Sequence, residues 1–128
     1  MHVHGGNILH ASGGDRSAEQ FVSLLQTPAL RLEQIVSHGH PTPDGQWYQQ
    51  ADAEWVLLLC GEAQLLFADA SKQMLKAGDY LLIPPRMRHR VEYCSVDARW
   101  LALHFAAVGN LAANLDATFA PPTDRPIP

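Results

Sequence analysis

Two side chains in this sequence have the types and placement to do chemistry together, Glu54 and His89. Glu54 opens the apolar run Trp55-Val-Leu-Leu-Leu-Cys60, which stops at Gly61. His89 closes the stretch Gly78-Asp-Tyr-Leu-Leu-Ile-Pro-Pro-Arg-Met-Arg-His, where a Gly-Asp turn leads into an apolar strand and a Pro-Pro corner ends it. A carboxylate and an imidazole on separate strands, each fixed by Gly or Pro turns nearby, predict a β-barrel with a metal or ligand site inside. Imidazole works near neutral pH as acid, base or metal ligand, and a carboxylate beside it can share either task.

A third candidate follows from the last two strands. If His89–Tyr93 and Arg99–Phe105 form a hairpin around Ser95–Ala98, Cys94 pairs with Arg99, Val91 faces Ala102, and His89 faces His104. Directly opposed residues share a face, about 5 Å apart at Cβ, so His104 would stand beside His89. A one-residue slip would turn it outward. His38 and His40 form a His-x-His pair at a strand end before Pro41. They are either barrel-mouth ligands or exposed polar residues. His2, His4 and His10 fall in a Gly-rich N-terminus and read as solvated.

The elements that must position these groups are mostly short strands. Ser17–Gln26 reads as a short helix, with Ser17 and Gln20 at capping-box spacing and Phe21, Leu24 and Leu25 on one face. The helical period then disappears. Strands are predicted at 31–40, 46–50, 54–60, 63–67, 73–76, 80–83, 89–93 and 99–105, separated by Gly, Pro and Asp turns. That rhythm predicts an antiparallel sandwich or small barrel. The boundaries expected are a flexible N-terminus at 1–16, the barrel domain with its helix at 17–107, and an extended tail at 108–128.

With 128 residues the chain is sized for one domain. No apolar run is long enough for a membrane span, and the start lacks the basic and apolar regions of a signal peptide. A cytoplasmic protein with no membrane partner is the expectation. The net charge of −4 argues against nucleic acid. Arg86, Arg88 and Arg90 alternate along one strand face, as a solvated edge or an anion-attracting rim. Cys60 and Cys94 lie far apart with no C-x-x-C, and read as small buried hydrophobes rather than a disulfide. If Glu54 points inward, Trp55, Leu57 and Leu59 point outward. Either another part of the chain covers that apolar face, or a second copy does, making a homodimer.

The segment from about Arg31 to Phe105 resembles the cupins, small jelly-roll (double-stranded β-helix) barrels. Gly78, Pro84 and His89 match the spacing of the second cupin motif, with Arg86 where a glycine is usual. Glu54 and Gly61 match the second half of the first motif. The two histidines of that motif are absent, and their positions fall on Tyr48 and Gln50 or on Trp47 and Gln49. The resemblance implies an all-β cupin barrel, of the small single-domain bacterial kind, with a degenerate site for a divalent metal such as Fe, Ni, Mn or Zn. Gln50, Glu54, His89 and His104 are the candidate metal ligands, and Tyr48 is the acid/base candidate. Two imidazoles and one carboxylate with open positions suit such ions. The other reading is a buried hydrogen-bonded Glu–His pair. The resemblance implies a metal-dependent oxygenase or isomerase acting on a small organic molecule, or else a non-catalytic, small-ligand-binding or regulatory cupin dimer.

Overall fold

The computed structural model describes residues 2–10 and 16–106. They form eight strands: β1 (Gln20–Gln26), β2 (Leu30–Val36), β3 (Ala53–Cys60), β4 (Glu62–Phe67), β5 (Lys72–Lys76), β6 (Tyr80–Ile83), β7 (His89–Cys94) and β8 (Arg99–Phe105). One sheet has the order β1-β2-β8-β3-β6 and the other β5-β4-β7, all neighbours antiparallel. The expected all-β jelly roll is the fold observed. The tail expected at 108–128 lies outside the described residues. No helix among the described residues is long and apolar enough to cross a membrane.

Alternation along the strands builds the core. In β3, Glu54, Val56 and Leu58 are buried, while Trp55, Leu57 and Leu59 on the other face are half-buried. In β8, Trp100, Ala102 and His104 are buried and alternate with half-buried Leu101, Leu103 and Phe105. Leu65, Leu75 and Cys94 meet them from the second sheet in one cluster, as two facing sheets require. Both cysteines are free, Cys94 buried and Cys60 half-buried. Burial pushes the Cys94 thiol above its ordinary pKa.

Three sequence expectations are corrected. The strand expected at 46–50 is reduced to an isolated bridge between Tyr48 and His89. The segment expected as a helix, Ser17–Gln26, contains strand β1, which pairs with β2 from Gln20↔Val36 to Gln26↔Arg31 around a bulge near Leu24. A ten-residue helix is marginal in isolation, whereas β2 offers an open ladder of backbone groups that need partners. The β7–β8 hairpin does not form. β7 pairs with β4 in one sheet, and β8 lies between β2 and β3 in the other. The loop Ser95–Ala98 is therefore a corner between sheets. It packs against Gly61, where an added Cβ would lie 2.3 Å from the Ser95 hydroxyl oxygen at a φ of +80°.

The N-terminal residues meet the barrel through backbone carbonyls. The Arg99 guanidinium donates to the carbonyls of Ile8 and His10, and the Gln34 amide donates to Ile8.

Candidate functional site

The strand registers set one row of side chains across the inner face of the five-stranded sheet. Arg31 of β2 opposes His104 of β8, which opposes Glu54 of β3, which opposes Ile83 of β6. His89 reaches the same space from β7 in the facing sheet, and the Tyr48 backbone is bridged to His89 through two hydrogen bonds. All five predicted site residues, Tyr48, Gln50, Glu54, His89 and His104, line one cavity of about 240 Å³. His104 arrives there by pairing with Glu54, not by the hairpin with His89 that the sequence suggested.

Glu54 is the hub. Its Oε1 accepts the Gln50 side-chain amide at 3.0 Å and lies 3.2 Å from Nε2 of His89. Its Oε2 lies 3.8 Å from Nε2 of His104. Glu54, His89 and His104 are all buried. Nδ1 of His89 lies 2.9 Å from the Met87 carbonyl. Burial pulls the His89 imidazole down, but the hydrogen bonds to Glu54 and Met87 and the charge of Glu54 outweigh it, leaving its pKa above the ordinary value. Carbonyl and carboxylate both accept, so the arrangement favours an imidazolium protonated on both nitrogens.

Two carboxylates at this site were not among the sequence candidates. Glu33 of β2 has Oε1 3.0 Å from Nε2 of His104, and Nδ1 of His104 is buried without a partner among the described residues. Glu19, just before β1, accepts a hydrogen bond from the Tyr48 hydroxyl at 3.3 Å and a long one from Ser37, which in turn accepts from the Trp100 indole. Burial raises the Glu19 pKa. Burial, and then the charge of Glu19, push the Tyr48 hydroxyl up to about 12. Tyr48 therefore stays protonated at neutral pH and serves as a hydrogen-bond donor. Glu33 was hidden because it lies outside both motifs, and Glu19 because β1 was read as a helix. The period-2 alternation Glu19, Phe21 was the available clue, since both line the cavity.

The other candidates lie elsewhere. Nε2 of His38 bonds Gln20, and Nε2 of His40 bonds the Arg16 carbonyl, so both hold the approach to β1. The arginines at 86, 88 and 90 do not form one solvated face. Arg90 is buried, bonded to the carbonyls of Thr42, Pro43 and Gln46, and paired with Glu92. Arg88 stacks over the Trp47 ring at 4.9 Å. Together they fasten the loop that presents Tyr48 and Gln50.

The donor types around Glu54 suit a divalent ion, since two imidazoles and carboxylate oxygens converge and the Met87 carbonyl on Nδ1 orients Nε2 of His89 inward. As they stand these atoms are hydrogen-bonded to one another, and among the described residues no three His, Cys, Asp or Glu side chains are arranged to hold an ion.

Fold and site together define a jelly-roll barrel with a polar cluster inside. The chain is 31% identical to a putative mannose-6-phosphate isomerase from Ralstonia eutropha JMP134, with a TM-score of 0.76, covering 82% of this chain and 100% of that one. An RmlC-like cupin protein from Desulfovibrio desulfuricans matches at 16% identity and a TM-score of 0.67, over 81% of this chain and 97% of that one. The Fe(II) form of HppE matches at 17% identity and a TM-score of 0.59, over 69% and 50%. No protein-family model and no curated protein matches the chain. The chain belongs to the cupin superfamily.

Proposed function

We propose that the barrel is a small-molecule isomerase that moves a proton between neighbouring carbons of a hydroxy-carbonyl compound. The observation that carries this reading is the buried Glu54 carboxylate, whose Oε1 is held by Gln50 and His89 while Oε2 has, among the described residues, only the 3.8 Å approach of His104, too long for a hydrogen bond. Such a carboxylate is a positioned general base. Oε2 takes the proton from the carbon beside the substrate carbonyl, and the C–H electrons form an enolate. The Tyr48 hydroxyl donates a hydrogen bond to the enolate oxygen, as an oxyanion donor does. The proton of the adjacent hydroxyl passes to that oxygen, and Glu54 returns its proton to the other carbon. The name of the Ralstonia relative, a putative isomerase, supports the same class.

A divalent ion is a secondary part of this proposal. Glu54, His89 and His104 would hold it with Gln50 beside them only after His89 gave up its Nε2 proton and the Glu54–His89 hydrogen bond opened, and it would polarise a substrate oxygen. We also propose that a second copy of the chain covers the outer face of the five-stranded sheet.

The test is proton exchange with solvent. In D₂O, wild-type protein should wash deuterium into the carbon beside the carbonyl of small aldoses, read by proton NMR, and Glu54→Gln should abolish it. No exchange with any aldose or ketose tested would leave the non-catalytic binding barrel as the surviving reading.

A further inference from the structure

The charges lining the cavity say what kind of molecule it takes, on the premise that the isomerase reading holds. Among the described residues, three carboxylates face the space, Glu19, Glu33 and Glu54, and no lysine does. The opposing cations are few. The His89 Nε2 already lies 3.2 Å from the Glu54 carboxylate. Arg31 stands at the wall with nearly half its side chain exposed to water, and its Nε lies 3.9 Å from Glu33. His104 directs Nε2 at Glu33, and its other nitrogen is buried. The Gln50 amide is taken by Glu54. Apart from the water-facing Arg31 guanidinium, few donors are left for a ligand anion, whereas acceptors are plentiful. The remaining lone pairs of Glu33 and Glu54 need hydrogens from whatever fills the space, because buried acceptors without partners are costly. Phosphate and carboxylate recognition calls for the reverse, clustered guanidinium, ammonium or backbone N–H donors. The volume, about 240 Å³, is below the ~300–1,000 Å³ usual for drug-sized ligands, so the occupant is small.

We infer that the cavity selects a small, hydroxyl-rich molecule without negative charge, such as an unphosphorylated sugar, and discriminates against its phosphate ester. This departs from the substrate in the name of the Ralstonia relative.

The experiment compares D-mannose with D-mannose 6-phosphate on the wild-type full chain at neutral pH, by ligand-detected NMR and by deuterium exchange. Mannose should bind more tightly by about tenfold or more, the effect of one like charge a few ångströms away in a partly buried site. In Glu19→Gln/Glu33→Gln, checked for folding by its melting curve, that gap should narrow. Equal or tighter binding of the phosphate by the wild type overturns the inference, as does failure to bind mannose. The isomerase reading is judged separately. Exchange with the phosphate but not with mannose keeps that reading and sinks the charge argument, whereas exchange with neither, nor with other small aldoses, sinks the reading.

Discussion

At the scale of single residues, Glu54 and His89 act as one unit. His89 has a folded-state pKa above its unfolded value because Glu54 and the Met87 carbonyl hold its protons against the pull of burial. A raised pKa contributes stability that is fully present below the unfolded value, about 6.5, and is lost as pH rises through the higher folded value. Chemical denaturation of the wild type should therefore show this contribution fading as pH rises from about 6.5 through the higher folded value, and NMR of the imidazole should place its midpoint above that of free histidine. In Glu54→Gln, burial acts with less opposition and the His89 midpoint should fall; an unmoved midpoint would mean that Glu54 does not hold the proton. Full truncation is harsher. Glu54→Ala leaves a buried imidazole and the Gln50 amide without their partner, which should cost about 3 kcal/mol in a urea melt at pH 7. Tyr48→Phe is a contrasting case, because Tyr48 is 37% exposed and the bond from its hydroxyl to Glu19 is long, at 3.3 Å. It should leave the melting curve nearly unchanged and lower the proposed isomerisation by about 10²-fold or more. Equal losses in stability and rate would make Tyr48 a structural residue.

Strands, corners and loops decide whether those residues meet, and here the sequence was legible unevenly. The second motif was readable in detail. Even its departure has a backbone reason, since Arg86 stands where the family has glycine and adopts a φ of +65°. Its N–H donates to the Gln50 carbonyl at 2.7 Å, so the strained turn helps fix the segment carrying Gln50. Arg86→Gly should relieve the strain and stabilise the fold by about 1 kcal/mol; a lower melting temperature would show that the arginine side chain contributes more than the strain costs. The inner and outer faces of β3 were also legible, because alternation is a local property. Strand partners were not. The Ser95–Ala98 turn looks the same in sequence whether the next strand folds back or crosses to the facing sheet, and β8 does the latter. His104 reached the site all the same, because its parity on the strand was right although its partner was wrong. β1 failed for a related reason. Its apolar residues fit a helical stripe, and only the open edge of β2, invisible in the sequence, turns them into a strand.

For the whole molecule the unsettled surface is the outer face of the five-stranded sheet. One row crosses four strands as Leu32, Leu103, Trp55 and Leu82, and the next carries Leu101, Leu57 and Tyr80. The row residues from Leu32 to Leu82 are half-buried and Tyr80 is exposed, with its ring 5.7 Å from that of Trp55. The N-terminal residues meet this sheet at Gln34 and Arg99. A contiguous apolar sheet face is the kind of surface that soluble proteins cover with a partner, and an antiparallel sheet presents it to a second copy as a self-complementary patch. The expected outcome is a dimer in sedimentation equilibrium at micromolar concentration. Trp55→Glu/Leu103→Glu, with both side chains on that face and neither lining the cavity, should dissociate it while keeping the β-sheet circular dichroism. A wild type that sediments as a monomer at all concentrations would remove the second copy from this face. If the charged variant instead aggregates or loses its sheet signal, the face is required for folding of the single chain, and the outward residues of β3 and β8 belong to its core rather than to an interface.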